Sequence, residues 1–389
     1  MKVVYYNIFG MGHINPTLPI VKKLKENGAE ILYYTSPIRK KNVESAGAFF
    51  RNYGSDDYKA ENYNPGKNFI LQLLPATVGI LPYLCQELEK FQPDLILYDS
   101  MAPWGYCLSQ IYQIPSVCTV TTFAFSPQKR QQMYDFYKIE IDDVSKNAIE
   151  FLETEHNISL ELIHALGSYN RCNLVFTSKK FNPSLGMMKE DHFHFVGPMM
   201  EERAKVDFPL EKIQNSGKKI IYMSLGTVVV NEDPTLIEVF KTAIEAIRQD
   251  ERFLLVMSIS RGLKIEDFDN IPQNVLIYNF VPQLEILKIA EIFIHHSGMN
   301  SINEGLFFGK PSITIPIAHE QFANAARISE LKLGIELSRK NLTSSMIHEA
   351  ITSVLENPLY RQNCSEISKD FKNCLGHNEA MKIILDAMS

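Results

Sequence analysis

Residues 292–305 read Ile-Phe-Ile-His-His-Ser-Gly-Met-Asn-Ser-Ile-Asn-Glu-Gly: an apolar strand, a polar turn, and a helix starting near Met299 or Asn300. The first turn of a helix presents unpaired N–H groups and a partial positive charge, which together suit a diphosphate. Gly298 lets the backbone approach such an anion closely. His296, Asn300 and Ser301 add side-chain donors, and Glu304, one helical turn further on, is placed to accept from ribose hydroxyls. Two other strand ends offer matching pieces. Ser224-Leu225-Gly226-Thr227 supplies hydroxyls on a flexible backbone, a second phosphate-side loop. Phe280-Val281-Pro282-Gln283 supplies an aromatic face for a base, with an amide beside it. Each piece alone also occurs in proteins that bind nothing; their number and order point to a nucleoside diphosphate.

A second constellation could move a proton. Gly10-Met11-Gly12-His13-Ile14-Asn15-Pro16 holds an imidazole at a strand-to-helix turn, with glycines leaving space around it. An imidazole titrates near neutrality and can take the proton of an attacking hydroxyl. It does so better when its other nitrogen donates to a carboxylate. Asp99, which closes the run Leu95-Ile96-Leu97-Tyr98, stands at the same sheet edge. The residues alone leave two readings open: a catalytic pair, or a helix-capping histidine and a strand-end aspartate. A nicotinamide site is excluded. Asn15 stands where the dinucleotide fingerprint needs its third glycine, and Thr35-Ser36 stand where it needs an acid.

These residues must be positioned by alternating strands and helices. Apolar runs at Val3–Phe9, Ile31–Thr35, Leu95–Tyr98, Val117–Val120, Leu174–Thr177 and Phe193–Val196 are separated by helix-length stretches, with a turn expected at Gly10–Asn15. The rhythm lapses at Glu201-Glu202-Arg203 and Ser216-Gly217-Lys218-Lys219. It restarts with runs at Ile220–Leu225, Phe253–Met257, Val275–Tyr278, Ile292–His295 and Ser312–Ile315. The expectation is an α/β protein with parallel sheets: a domain over 1–200, a linker over 201–218 and a domain over 219–370. A last helix in 371–389 is expected to pack back on the first domain. The 389 residues are 45% hydrophobic and 22% charged, as in a globular chain, and a net charge of -6 gives no reason to expect nucleic acid. Six scattered cysteines without a Cys-x-x-Cys pair, no signal-peptide core and no bilayer-length apolar run lead to a cytoplasmic expectation, without stable membrane insertion. Thr121-Thr122-Phe123-Ala124-Phe125 with Met133, Tyr134, Phe136 and Tyr137 either line an apolar pocket or form ordinary core. Asp57–Gly79, with Tyr58, Tyr63, Phe69 and Pro75, is expected to be a loop near that pocket.

The succession Phe280-Val281-Pro282-Gln283, His296-Ser297-Gly298-Met299-Asn300-Ser301-x-x-Glu304 and Glu320-Gln321-Phe322-Ala323-Asn324-Ala325 resembles the signature of the UDP-glycosyltransferase family. That signature runs Trp-x-Pro-Gln, His-Cys-Gly-Trp-Asn-Ser-x-x-Glu and Asp-Gln-x-x-Asn-Ala. The likeness spans essentially the whole chain and is strongest to the bacterial macrolide-glycosyltransferase branch, which often has Met where plant members have Trp. It implies a GT-B fold: two facing Rossmann-like domains with a cleft between them, sugar donor on the C-terminal one and acceptor on the N-terminal one. It implies that Phe280 stacks on uracil and Gln283 contacts the nucleoside. His296, Asn300, Ser301 and Thr227 would hold the diphosphate, Glu304 the ribose, and Glu320 and Gln321 the sugar, with Gly12, Ser224, Gly226, Val281 and Gly298 along the donor. It also makes His13 the base and Asp99 its partner. Phe280 for Trp keeps a stacking face but loses the indole N–H, and Glu320 for Asp adds a methylene at the sugar.

The activity so implied is inverting, metal-independent transfer of a hexose, glucose being expected, from a UDP-sugar to a hydroxyl of a hydrophobic small molecule such as a macrolide, flavonoid or other phenolic. No cofactor beyond the donor is expected. Asp267-Phe268-Asp269 looks like the metal-holding Asp-x-Asp of other glycosyltransferases but sits in a charged loop before Ile271-Pro272, and is read as solvated. Two rivals are a membrane-peripheral lipid glycosyltransferase, hinted at by Lys22-Lys23 and Ile38-Arg39-Lys40-Lys41, and a nucleotide-sugar sensor without turnover.

Overall fold

Every strand pair among the described residues of the computed structural model is parallel, as apolar β-runs joined by crossover helices require. The structure describes all residues except 55–68, 137–138, 161–166, 168, 201–205, 227–232, 234, 260–261, 319 and 389, and except the side chains of Phe69, Ile70 and Phe136. Two units emerge: Met1–Glu201 together with Cys374–Ser389, and Glu202–Asn373.

The first unit begins β1 (Lys2–Tyr6), α1 (Met11–Ile14), α2 (Leu18–Glu26), β2 (Glu30–Tyr34), α3 (Lys40–Ser45), β3 (Phe49–Arg51), α4 (Phe69–Phe91) and β4 (Leu95–Asp99). It continues α5 (Pro103–Tyr112), β5 (Ser116–Val120), α6 (Pro127–Phe136), α7 (Asp143–His156), β6 (Asn173–Val175) and β7 (Phe193–Phe195). The seven strands lie in the order β3-β2-β1-β4-β5-β6-β7. Alternate residues of a strand face opposite sides of the sheet. Val4, Tyr6, Ile96 and Tyr98 therefore join one core, and Val3, Tyr5, Leu95 and Leu97 the other.

The second unit runs α8 (Leu210–Gln214), β8 (Lys219–Ser224), α9 (Leu236–Ile247), β9 (Phe253–Ser258), β10 (Val275–Tyr278), α10 (Gln283–Ile289) and β11 (Ile292–His295). It ends α11 (Met299–Phe307), β12 (Ser312–Thr314), α12 (Gln321–Glu330), β13 (Gly334–Glu336), α13 (Ser344–Glu356) and α14 (Pro358–Asn373). Its sheet order is β10-β9-β8-β11-β12-β13. The last helix, α15 (His377–Asp386), belongs to the first unit. Its Ala380, Met381 and Ile384 complete the core around Val3 and Tyr5, and the two larger side chains contribute roughly 1.5–3 kcal/mol each by burial.

Several details depart from expectation. The first strand stops at Tyr6, and the expected Gly10–Asn15 turn is a single helical turn that passes through a 3-10 segment, Asn15–Thr17, into α2. The expected loop over Asp57–Gly79 is helical from Phe69 onward, because its apolar residues are spaced to bury Leu73, Leu74, Ile80 and Leu81 despite Pro75 and Pro82. Residues 57–68 lie outside the described residues. The expected linker contains α8, whose Ile213 is buried with Tyr222 and Phe293 in the second unit. Phe123, Phe125 and Tyr134 are buried, with Phe123 against Phe125 and Phe181, so they are core and not pocket lining; Tyr137 lies outside the described residues. Among the described residues, no helix is long and apolar enough to cross a membrane.

Candidate active site

In both sheets the strand order reverses beside the first strand of the unit, between β1 and β4 and between β8 and β11. Loops leaving the carboxyl ends of such neighbours diverge to opposite faces and open a crevice, where ligands of open α/β sheets bind. His13 and Asp99 lie at the first of these points and Ser224–Gly226 with His296–Glu304 at the second, whereas Phe280–Gln283 follows β10 at the sheet edge and Glu320–Gln321 follows β12.

In the first unit, His13 sits on α1 just beyond β1, and Asp99 is the last residue of β4. Their side chains meet: His13 Nδ1 is 2.9 Å from Asp99 Oδ2, with the carboxylate fully buried and the imidazole 17% exposed. Asp99 Oδ1 accepts the Met101 backbone N–H at 2.8 Å. Both carboxylate oxygens are thus satisfied, and Nδ1 carries the proton, leaving the basic lone pair on Nε2. Thr121, one residue past β5, brings its Oγ1 to 2.8 Å from the same Nδ1. The main chain under His13 is held as well. Asn7 Nδ2 donates to the His13 carbonyl at 3.2 Å and to the Tyr33 hydroxyl at 2.8 Å. That hydroxyl in turn is 2.7 Å from Thr17 Oγ1, which donates to the Ile14 carbonyl. Burial pushes the Tyr33 phenol above its ordinary range, so it is a neutral hydrogen-bonding group. A Cβ built at Gly12 meets no protein atom within 4 Å, so the fold itself does not require glycine there.

In the second unit, β8 ends at Ser224 beside His295 of β11, which sets the Leu225–Gly226 loop against His296–Gly298. The His296 ring lies between the two glycines. A Cβ at Gly226, where φ is +83°, would come within 2.7 Å of its Cε1, and one at Gly298 within 2.5 Å of its Nε2. Gly298 is therefore demanded by an imidazole of the protein itself, beyond any anion. Burial pushes His296 down to about 4, with a hydrogen bond to the Ser224 backbone opposing, so it is neutral at pH 7; its Nδ1 is buried without a partner among the described residues. Gly298 is the N-cap of α11 and brings no side-chain oxygen to the first-turn amides, beside which Asn300 and Ser301 stand half-buried. Thr227 lies outside the described residues.

The nucleoside end is partly wired internally. Phe280 is 56% exposed, which presents its ring for stacking. Val281, expected along the donor, is buried in the core with Tyr222 and Leu287, because its side chain points back into the sheet; only its main chain could reach a ligand. Gln283 Nε2 donates to Glu304 Oε2 at 2.7 Å, and its Oε1 accepts from the Tyr222 hydroxyl at 3.1 Å. Gln283 thereby steers the Glu304 carboxylate. Gln321 Oε1 accepts the backbone N–H groups of Ile317 and Ala318 at 2.9 and 3.2 Å, so its amide nitrogen is the end that can face a sugar. Glu320 is the half-buried N-cap of α12. Asp267 Oδ2 accepts the Lys264 backbone N–H, a local cap. Thr121 and Tyr222 were missed as site partners by sequence reading; only the neighbouring strand ends could have suggested them.

Residues 250–383 match the family described as erythromycin biosynthesis protein CIII-like, C-terminal domain. The NDP-glycosyltransferase YjiC of Bacillus licheniformis is 31% identical over 97% of this chain and 95% of its own. The oleandomycin glycosyltransferase of Streptomyces antibioticus is 22% identical over 98% of this chain and 90% of its own. Among solved structures, the calicheamicin glycosyltransferase CalG4 superposes with a TM-score of 0.85 at 23% identity, covering 100% of this chain and 98% of that one.

Proposed function

This chain belongs to the UDP-glycosyltransferase family, in its macrolide-glycosyltransferase-like branch, and from that premise we propose that it moves glucose from UDP-glucose to a hydroxyl of a hydrophobic small molecule, with inversion. It is a GT-B glycosyltransferase of nucleotide sugars and natural-product acceptors; the particular sugar, acceptor class and stereochemistry are our reading. The observation that carries it is the His13 Nδ1 to Asp99 Oδ2 contact at 2.9 Å, with Asp99 fully buried at the strand-order reversal of the first sheet.

An alcohol is a poor nucleophile until its proton is taken. In this reading the acceptor O–H gives its proton to His13 Nε2 while its oxygen forms a bond to the anomeric carbon. The bond from that carbon to the diphosphate oxygen breaks, and UDP leaves with the electron pair. Asp99 stabilises the imidazolium that forms and holds its tautomer. A single displacement inverts the anomeric carbon, so an α-linked donor yields a β-glycoside. Charge growing on the leaving diphosphate meets the amides at the start of α11, the Gly226 loop and the neutral His296. These groups support a reaction that needs neither metal nor cofactor. Phe280 would stack on uracil, and Glu304, steered by Gln283, would take the ribose hydroxyls. A sensor would have no need of the engaged His13–Asp99 pair. We place the enzyme in the cytoplasm, a compartment suited to its six free cysteines.

The test is mass spectrometry of products from UDP-, TDP- and GDP-sugars offered with phenolic and macrolide acceptors. The expected result is a hexose adduct from UDP-glucose, β-linked by NMR, undiminished by EDTA and abolished by His13→Ala. An α-linked product, or transfer by His13→Ala at the wild-type rate, would sink the mechanism.

A further inference from the structure

Ser297, between the two site residues His296 and Gly298, adopts a left-handed backbone conformation with φ of +67°. A non-glycine residue there costs on the order of 1 kcal/mol unless its surroundings hold it. Its own hydroxyl is buried and finds no partner among the described residues, so the side chain does not hold it. Its main chain is held from both ends. Asn324 Nδ2, on α12, donates to the Ser297 carbonyl at 2.9 Å. On the other side the Ser297 N–H donates to Nδ1 of His295 at 3.1 Å.

His295 ends β11 and is fully buried. Because Nδ1 accepts, the ring's proton must sit on Nε2, and Nε2 finds Ser312 Oγ at 3.0 Å on β12. The tautomer is thus determined by both neighbours. Burial, reinforced by His296 beside it, pushes His295 down to about 3, so Nδ1 stays an acceptor across the working pH range. We propose that His295 is a positioning residue: its Nδ1 locks Ser297 in the left-handed turn that aims the first-turn amides of α11 and the His296 ring at the sugar donor's diphosphate. This rests on the donor-site reading above.

The two ring nitrogens can be tested separately. In His295→Asn the amide oxygen stands where Nδ1 does and keeps the Ser297 bond. In His295→Gln the amide nitrogen stands where Nε2 does and keeps only the Ser312 bond. Each variant loses one buried hydrogen bond, so a merely structural residue would respond alike to both. Titration calorimetry with UDP should show His295→Gln weakened about tenfold and His295→Asn within about threefold of wild type. Ser297→Gly placed in His295→Gln should recover most of the loss, because glycine takes positive φ without strain. Equal losses in the two single variants, or no recovery by glycine, would overturn the proposal. If the wild type binds no UDP, the donor-site reading fails instead. His295 is then decided by hydrogen exchange at the Ser297 amide, expected to accelerate at least tenfold in His295→Gln and not in His295→Asn; equal exchange in both overturns it.

Discussion

Replacing Asp99 by Asn changes one oxygen to an amide yet should harm the enzyme more than removing the side chain altogether. The reason lies in the second oxygen. Asp99 Oδ1 accepts the Met101 backbone N–H, a partner that can only donate. In Asp99→Asn the amide must turn its single oxygen there, which leaves its NH2 facing His13 Nδ1. Nδ1 is then forced to accept, the proton moves to Nε2, and the nitrogen meant to receive the acceptor's proton is blocked. Two losses combine. Imidazolium stabilisation by a charged hydrogen-bond partner is worth about 1.5–3 kcal/mol, and restoring the productive tautomer against two opposed N–H groups costs about 1–3 kcal/mol more. The sum, about 2.5–6 kcal/mol, is a fall in kcat/KM on the order of 10²- to 10⁴-fold. Asp99→Ala incurs only the first loss, roughly 10- to 150-fold, since Thr121 Oγ1 at 2.8 Å can still accept from Nδ1. The assay is initial-rate glucosylation of a phenolic acceptor by wild type and both variants, with thermal melting as a check of folding and ¹⁵N shifts of the His13 ring as a direct view of the tautomer. Asp99→Asn as active as Asp99→Ala, with both folded, would refute the reasoning.

Glu304→Gln keeps an oxygen for the Gln283 amide, so it should melt near wild type. It should bind UDP about tenfold more weakly in calorimetry and lose most of the preference for UDP over 2′-deoxy-UDP. Gly298→Ala drives a methyl to 2.5 Å from His296 Nε2 and should cost about 1–3 kcal/mol in urea unfolding, together with UDP affinity. Gly12→Ala, which meets open space in the protein, should melt unchanged but lose at least about fivefold in kcat/KM if a substrate occupies that space. Acid should weaken the fold through two histidines. His295 and His296 stand at about 3 and about 4 when folded but return to about 6.5 when unfolded. Between those values the unfolded chain binds the extra protons, so stability is present above about pH 6.5 and is lost as pH falls towards 4, at up to about 2.7 kcal/mol per pH unit. Urea titrations from pH 7 to 4.5 should show that slope, and His295→Asn should roughly halve it; a flat profile would contradict the lowered titration of the two rings.

Order along the chain carried most of the reading. Eleven apolar runs were visible because parallel strands covered on both faces are nearly continuous in Val, Ile, Leu and aromatic residues. The two strands that escaped, Phe49–Arg51 and Gly334–Glu336, are three-residue members at sheet edges whose exposed positions break any apolar signature. The start of α4 escapes sequence reading because Pro75 suggests loop, whereas the spacing of Leu73, Leu74, Ile80 and Leu81 suggests helix, and tertiary burial decides in favour of the spacing. The site was legible as residue types but not as partnerships. Asp99 could be chosen from its strand-end position. Thr121 could not, since nothing in Thr121-Thr122 tells which hydroxyl turns towards β4. Gln283 and Glu304 were read as two separate ligand contacts, although a hydrogen bond of 2.7 Å makes them one device.

Among the described residues, those gathered at the second sheet's reversal point, Ser224, Gly226, His296, Gly298, Asn300 and Ser301, include no lysine or arginine. That bears on how the diphosphate would be handled. The groups present are dipoles: amides at the start of α11 without a side-chain cap, a loop held open by two glycines, and an imidazole whose burial forbids its charge. Their pull scales with the charge that collects on the bridging oxygen as the sugar leaves, and so is greatest at the moment of transfer.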